Sequence, residues 1–298
     1  MLKYFLWMIG ASLCACPLSH AETVELHPRS DTVPLRGRIL EFSDPYGPCT
    51  FESRIIHYET SDKARIEATL LVPNTNQKSP GLVYVHMWAR DRTTFWGLPE
   101  YLASYGYPGI YMDLRGHGNS MLPDSDKKIT AEDHDFSYAN FYLDILPAIE
   151  RLSENDRVES DRLILVGASL GCPLGVLAVE KNREKFIGMI HLTPSISYFD
   201  VHCGDALDRV RRLPTFVFAE KTDPAYESSR RFFDIPRGYK TFMEQEYAGH
   251  GTDILYHDLG FPTIILGWIE QIQRLTMLHR YPDHARSPTA NPKKREDP

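Results

Sequence analysis

Leu163-Ile-Leu-Val-Gly167-Ala168-Ser169-Leu170-Gly171 is the stretch that decides the fold. Its first four residues form a continuous apolar run, the mark of a strand buried on both faces of a sheet. The next five read G-x-S-x-G, and the residues after them, to Arg183, fit a helix. Taken alone, G-x-S-x-G also fits a chance glycine-rich turn. Between a buried strand and a helix it fits a nucleophile elbow, in which Ser169 sits on a sharp turn with its hydroxyl above the sheet edge. Small flanking residues are required there because the crowded backbone leaves no room for side chains. The helix that follows brings the Leu170 N–H to where negative charge would develop on a reacting carbonyl oxygen.

Outward from this stretch the chain alternates strand and helix. Arg54–Glu59 and Ile66–Val72 read as antiparallel strands joined by the turn Ser61-Asp62-Lys63. Later strands are expected at Leu82–His86, Gly109–Asp113, Leu163–Ser169, Phe186–Leu192, Thr215–Ala219 and Lys240–Tyr247. Helices are expected at Phe95–Tyr105, Tyr138–Leu152, Leu170–Arg183, Tyr226–Phe233 and Thr252–Leu275. This order predicts an α/β class with a mostly parallel sheet of about eight strands flanked by helices.

A serine hydroxyl near neutral pH needs a base to accept its proton and an acid to orient that base. Asp223 follows the buried strand Thr215–Ala219 by a short loop, and His250 stands between Gly249 and Gly251 at the end of another strand. The chain order Ser169, Asp223, His250 suits three side chains gathered at the carboxyl ends of neighbouring strands. Each has a plainer reading. Asp223 precedes Pro224 and suits a turn, and Glu220 is the rival acid; His250 is one of twelve histidines, among them His191, His202 and His257.

On these landmarks the chain resembles the α/β-hydrolase superfamily, in particular its compact esterase, dienelactone-hydrolase and prolyl-oligopeptidase-like branch. The resemblance runs from about Ile56 to Leu275 through Leu82-Val-Tyr-Val-His86, Tyr101-Leu-Ala-Ser-Tyr-Gly-Tyr107, Asp113-Leu-Arg-Gly-His-Gly-Asn-Ser120, Gly167-Ala-Ser-Leu-Gly171, Asp223 and Gly249-His-Gly251. It implies an α/β-hydrolase fold with little cap, since only Ser195–Leu213 separates two strands where larger relatives insert one. It also implies that Asp113, Arg115, His117 and Ser120 are structural. One landmark departs from the pattern: relatives commonly have glycine after the strand ending at His86, and here Met87 and Trp88 follow. Either can still donate a backbone N–H to an oxyanion hole, or both side chains can line the acyl pocket. Tyr198, Phe199, Trp88 and Trp96 are candidate apolar walls, with core packing as the alternative.

Composition limits the remaining classes. Lysine and arginine total 33 against 40 acidic residues, a net charge of −7, the wrong sign for nucleic-acid backbone binding. Of 298 residues 42% are hydrophobic and 24% charged, as in an ordinary globular protein. Residues 1–21, with Lys3 before an apolar run and Ser19-His20-Ala21 at the end, read as a signal peptide, too short to remain as a membrane span. The alternative is a lipoprotein box with Cys16 as the lipid-bearing residue. Residues 22–53 are then an N-terminal extension, 54–280 the catalytic domain, and the proline-punctuated 281–298 a solvated tail. Processing leaves Cys49, Cys172 and Cys203, which allows one disulfide in an oxidising compartment and one free thiol. His134 between Asp133 and Asp135 is superficially metal-like, but neighbouring loop positions rarely converge on one ion, so neither metal nor cofactor is expected.

The sequence therefore predicts an exported serine hydrolase, periplasmic or secreted, that cleaves a small-molecule carboxylic ester through an acyl-enzyme. The alternatives are a peptidase of the prolyl-oligopeptidase-like type and a non-catalytic hydrolase-like binding protein.

Overall fold

The computed structural model describes residues 49–133 and 136–280. The expected leader with Cys14 and Cys16, most of the extension 22–53, the pair His134 and Asp135, and the tail 281–298 lie outside the described residues.

Strand β1 (Phe51–Glu59) pairs antiparallel with β2 (Arg65–Pro73). Their link is the expected turn: Lys63 takes a left-handed φ of 72°, and the Thr60 hydroxyl oxygen accepts from the Ala64 N–H at 2.9 Å. Then come β3 (Ser79–Val85), β4 (Gly109–Met112), β5 (Val158–Ala168) and β6 (Phe186–Leu192). A small hairpin, β7 (Ser197–Tyr198) with β8 (Val201–His202), precedes β9 (Thr215–Glu220) and β10 (Lys240–Gln245). The main sheet has eight strands in the order β1-β2-β4-β3-β5-β6-β9-β10. Within this sheet the β1·β2 and β2·β4 pairs are antiparallel, and the run β4-β3-β5-β6-β9-β10 is parallel. All eight expected strands are present.

Period-two alternation sorts the sheet's side chains into two cores. Val83, Val85, Leu163 and Leu165 face the layer formed with α2 (Ile145–Ser153) and α3 (Gly171–Lys181). Their neighbours Leu82, Tyr84, Ile164 and Val166 face α1 (Leu98–Ser104) and the terminal helix (Phe261–Arg280). Both faces are apolar because both are covered, which explains the continuous apolar runs of the central strands.

The helices differ from expectation at their starts. The first begins at Leu98 rather than Phe95, because Trp96 and Gly97 both take left-handed backbone, φ 48° and 81°, after a 3-10 turn at Arg92–Phe95. The second begins at Ile145, behind a 3-10 turn at Phe141–Asp144. Between β6 and β9 the chain adds a short helix, α4 (Gly204–Arg209), to the hairpin, and α5 (Tyr226–Asp234) follows β9. The single helix expected over Thr252–Leu275 is three pieces: a 3-10 turn at Gly251–Asp253, α6 (Ile254–His257) and α7 (Phe261–Arg280). The break is local chemistry. Asp258 leaves helical geometry and its carboxylate accepts from the Gly260 N–H at 2.8 Å, while Pro262 has no N–H and suits only a helix's first turn.

Candidate active site

Ser169 follows the last residue of β5 and carries a φ of 48°, a strained value for a residue with a Cβ. The turn is held because the Ser169 N–H donates to the Leu192 carbonyl at 2.9 Å and the Ser169 carbonyl accepts from Cys172 N–H at 2.9 Å. Gly171 is required by contact: a Cβ there would overlap the carbonyl oxygens of Val85 and His86. The start of α3 is thereby pressed against the end of β3.

Three side chains from three strand ends meet here. His250 Nδ1 lies 2.6 Å from Asp223 Oδ2, and its Nε2 lies 2.7 Å from Ser169 Oγ. A carboxylate only accepts, so Nδ1 carries the ring proton and Nε2 is left to accept from the serine hydroxyl. Burial by itself would raise the Asp223 carboxyl, but the hydrogen bonds from His250 and from the Ala225 N–H outweigh it and hold the group below its ordinary value. Asp223 is therefore ionised beside an imidazole whose side chain is 34% exposed, while Ser169 is 2% exposed.

Glu220, the rival acid, is engaged elsewhere. Its Oε1 accepts from the Thr222 N–H and hydroxyl at 2.9 and 2.6 Å and from the Tyr247 N–H at 3.1 Å. It ties the loop that carries Asp223 to the loop that carries His250. Among the other histidines, His191 is wholly buried on β6, and His202 Nδ1 is bonded to Ser197 Oγ at 2.8 Å.

Met87 and Trp88 follow β3 with their side chains directed apart. The Met87 sulfur accepts from the Thr252 hydroxyl at 3.7 Å and lies 2.8 Å from where a Cβ on Gly251 would stand. Gly251, at φ 60°, is the residue that admits it. Trp88 turns the other way: its indole N–H donates to the Tyr138 hydroxyl at 2.8 Å, and its ring packs edge-on against Phe199 at 5.1 Å. Phe199 stacks on Tyr138 at 4.7 Å and meets Tyr198 at 4.9 Å, so three of the four candidate wall aromatics form one cluster with Tyr138. Trp96 is apart from them, packed on Tyr256.

Several supports carried no sequence signal. Thr193, directly after β6, accepts from the Gly251 N–H at 3.0 Å and so props the histidine loop. Thr94 and Thr252 share a 2.6 Å hydrogen bond. Asp200 accepts from the Ser137 hydroxyl at 2.6 Å and the Tyr138 N–H at 2.8 Å, which fixes the aromatic cluster.

Two of the residues expected to be structural, Asp113 and Arg115, are held in hydrogen bonds and an ion pair. Asp113 accepts from the N–H groups of Arg92 and Asn119 at 2.9 and 2.8 Å. Arg115 pairs with buried Asp144 at 2.7 Å. Burial raises that Asp144 carboxyl to about 6 despite the guanidinium.

No disulfide forms among the three described cysteines. Each thiol instead lies against a backbone carbonyl: Cys49 on Ser104 at 3.1 Å, Cys172 on Leu192 at 3.7 Å and Cys203 on Ser195 at 3.9 Å. Among the described residues no group of three His, Cys, Asp or Glu side chains is placed to hold a metal ion, and no helix is long and apolar enough to cross a membrane.

The family model described as the alpha/beta hydrolase family matches residues 82–289. Among solved structures, acetyl xylan esterase 1 from Thermoanaerobacterium sp. is similar over 80% of this chain and 89% of its own, with a TM-score of 0.59 and 16% identity. An esterase from Pyrococcus furiosus is similar over 74% and 91%, with a TM-score of 0.58 and 15% identity. Dienelactone hydrolase from Anabaena variabilis is similar over 72% and 93%, with a TM-score of 0.54 and 16% identity. At such identities the likeness carries the fold alone. No curated protein matches the sequence.

Proposed function

Since the chain belongs to the alpha/beta hydrolase family, we propose that it is a serine esterase that cleaves small carboxylic esters through an acyl-enzyme, with Ser169, His250 and Asp223 as its catalytic residues. The observation that carries this reading is the unbroken hydrogen-bond chain from Ser169 Oγ through His250 to Asp223. Esterases among the structurally similar proteins agree with it.

The chemistry follows from the protonation states. As Ser169 Oγ attacks the ester carbon, His250 Nε2 takes its proton, and the Asp223 carboxylate stabilises the resulting imidazolium and keeps the ring in register. The carbonyl oxygen becomes an oxyanion, met by the Leu170 N–H and a second N–H from Met87 or Trp88. Collapse expels the alcohol, which takes the proton from Nε2. Water then attacks the acyl-enzyme with His250 again as base, and the carboxylate product leaves.

The N-terminal sequence supports export to the periplasm or beyond, by signal-peptide cleavage after Ala21 or by lipid attachment at Cys16. The mass of the mature N-terminus distinguishes the two.

The decisive experiment is labelling with a fluorophosphonate probe alongside hydrolysis of ethyl acetate. Labelling that disappears in Ser169→Ala, together with ester turnover that disappears in the same variant, is the expected result. Labelling that persists in Ser169→Ala, or is absent from the native protein, overturns it.

A further inference from the structure

We propose that the cleft beside the His250 loop is the leaving-group subsite, and that it takes the sugar ring of an O-acylated carbohydrate against Trp96 and Tyr256; this rests on the serine-esterase reading above.

Trp96 is 58% exposed and Tyr256 66%, although a folded chain ordinarily covers such rings, and their centroids are 5.5 Å apart. Trp96 is held out by its backbone. Its left-handed φ of 48° is an outlier for a bulky residue, fixed by its N–H donating to the Thr93 carbonyl at 3.2 Å. The segments that carry the two rings are tied together by the Thr94–Thr252 hydrogen bond of 2.6 Å. The aromatic step is therefore built before any ligand arrives.

Beside it lies a cleft of about 550 Å³ whose lining includes Arg90, Asp91, Trp96, Lys128 and Asp253. One wall of it, Asp253, belongs to the loop that carries His250. Asp253 is three residues beyond His250 and its N–H donates to the His250 carbonyl at 3.1 Å. His250 must hand its proton to the departing oxygen, so the alcohol half of the ester lies on the His250 side. The acyl half then falls toward Trp88, whose indole is turned to Tyr138 and Phe199.

The lining selects the alcohol. Aromatic faces carry negative charge density and attract the C–H face of a saccharide ring. Side chains of both signs supply donors and acceptors for its hydroxyl rim. A long alkyl alcohol would strip water from those charges without replacing its hydrogen bonds.

The test compares two acetate esters, ethyl acetate and a monoacetylated methyl glucoside, on native protein, Trp96→Ala, Tyr256→Ala and Trp96→Tyr. The ratio of kcat/KM for the sugar ester over that for ethyl acetate is expected to fall roughly tenfold in each alanine variant. The fall is carried by KM, and Trp96→Tyr restores most of it. Melting temperatures near the native value exclude unfolding as the cause, since both side chains are largely exposed. A ratio that stays put while both esters are turned over overturns the subsite and leaves the esterase standing. A ratio that stays put while the variants lose binding to phosphatidylcholine vesicles also overturns it, and assigns the aromatic step to a lipid surface. Native protein that neither hydrolyses ethyl acetate nor takes the fluorophosphonate label overturns the esterase, and the subsite with it.

Discussion

His86 Nδ1 donates to the carbonyl oxygen of Met87 at 2.7 Å, while its Nε2 accepts from the Leu114 N–H at 2.9 Å. The Met87 carbonyl and the Trp88 N–H belong to one trans peptide and point in opposite directions. A ring that holds the carbonyl on one side therefore turns the Trp88 N–H to the other. Burial, with His117 nearby, pushes His86 down to about 3, so the ring stays neutral and keeps both bonds across the working pH range.

His86→Phe removes that hold. We expect kcat to fall by about 100-fold, the scale of losing one oxyanion donor, with KM changed by only a few-fold. His86→Asn keeps an N–H donor and should recover part of the loss. Steady-state kinetics on ethyl acetate, with melting curves as a control, checks the split.

Asp223 and Glu220 separate cleanly. In Asp223→Asn the remaining oxygen stays on the Ala225 N–H and the amide NH2 faces His250 Nδ1, which holds the ring in the wrong tautomer, and kcat should drop by about 10⁴-fold. Glu220→Gln keeps the oxygen that accepts from Thr222 and Tyr247, so activity should remain within a few-fold of native. Equal losses in the two variants would contradict the assignment.

Gly251→Ala tests the histidine loop. At φ 60° an L-residue costs about 1–2 kcal/mol, and the new methyl would displace the Met87 sulfur. The expected fall in melting temperature is roughly 2–8 °C, accompanied by reduced kcat because His250 is the adjoining residue.

His191 contributes to the loss of stability in acid. Both of its ring nitrogens lack a hydrogen-bond partner among the described residues, the ring packs on Phe232 at 4.7 Å, and burial pushes its pKa to about 3. In the unfolded chain the group titrates near its ordinary value of about 6.5. Its folded value is depressed, so the unfolded state binds the extra proton and stability falls as pH drops from about 6.5 toward 3. His191→Leu should flatten the urea midpoint across that window by roughly one proton's worth of slope. It should also leave stability at pH 7 no lower, since no hydrogen bond is lost.

What the sequence showed, and what it hid, follows from the range of the interactions. The strands were readable because burial on both faces leaves runs such as Leu163-Ile-Leu-Val166, and the elbow because steric crowding demands Gly171. Ser169 directly follows β5, and Asp223 and His250 stand in short loops after β9 and β10, which made the three candidates readable by position. The helix starts were not, since Trp96 and Asp258 leave helical geometry through local backbone choices that apolar periodicity does not report. Thr193, Asp200 and the Thr94–Thr252 bond act across 62 to 158 residues of chain for Asp200 and the threonine pair, and 58 for Thr193, so no local pattern marks them. Met87 stands where relatives commonly have glycine, and its side chain fills space that Gly251 leaves open.

Asp200 joins two insertions in the sheet, one between β4 and α2, the other between β6 and β9, which also meet where Phe199 stacks on Tyr138. Through it the aromatic cluster is a single mechanical part, assembled from both insertions and resting on Trp88. Grafting one insertion from another hydrolase onto this sheet would leave half a wall without its anchor. Substrate range in this scaffold should accordingly shift by paired exchange of the two insertions, while the strand ends that bear Ser169, Asp223 and His250 stay as they are.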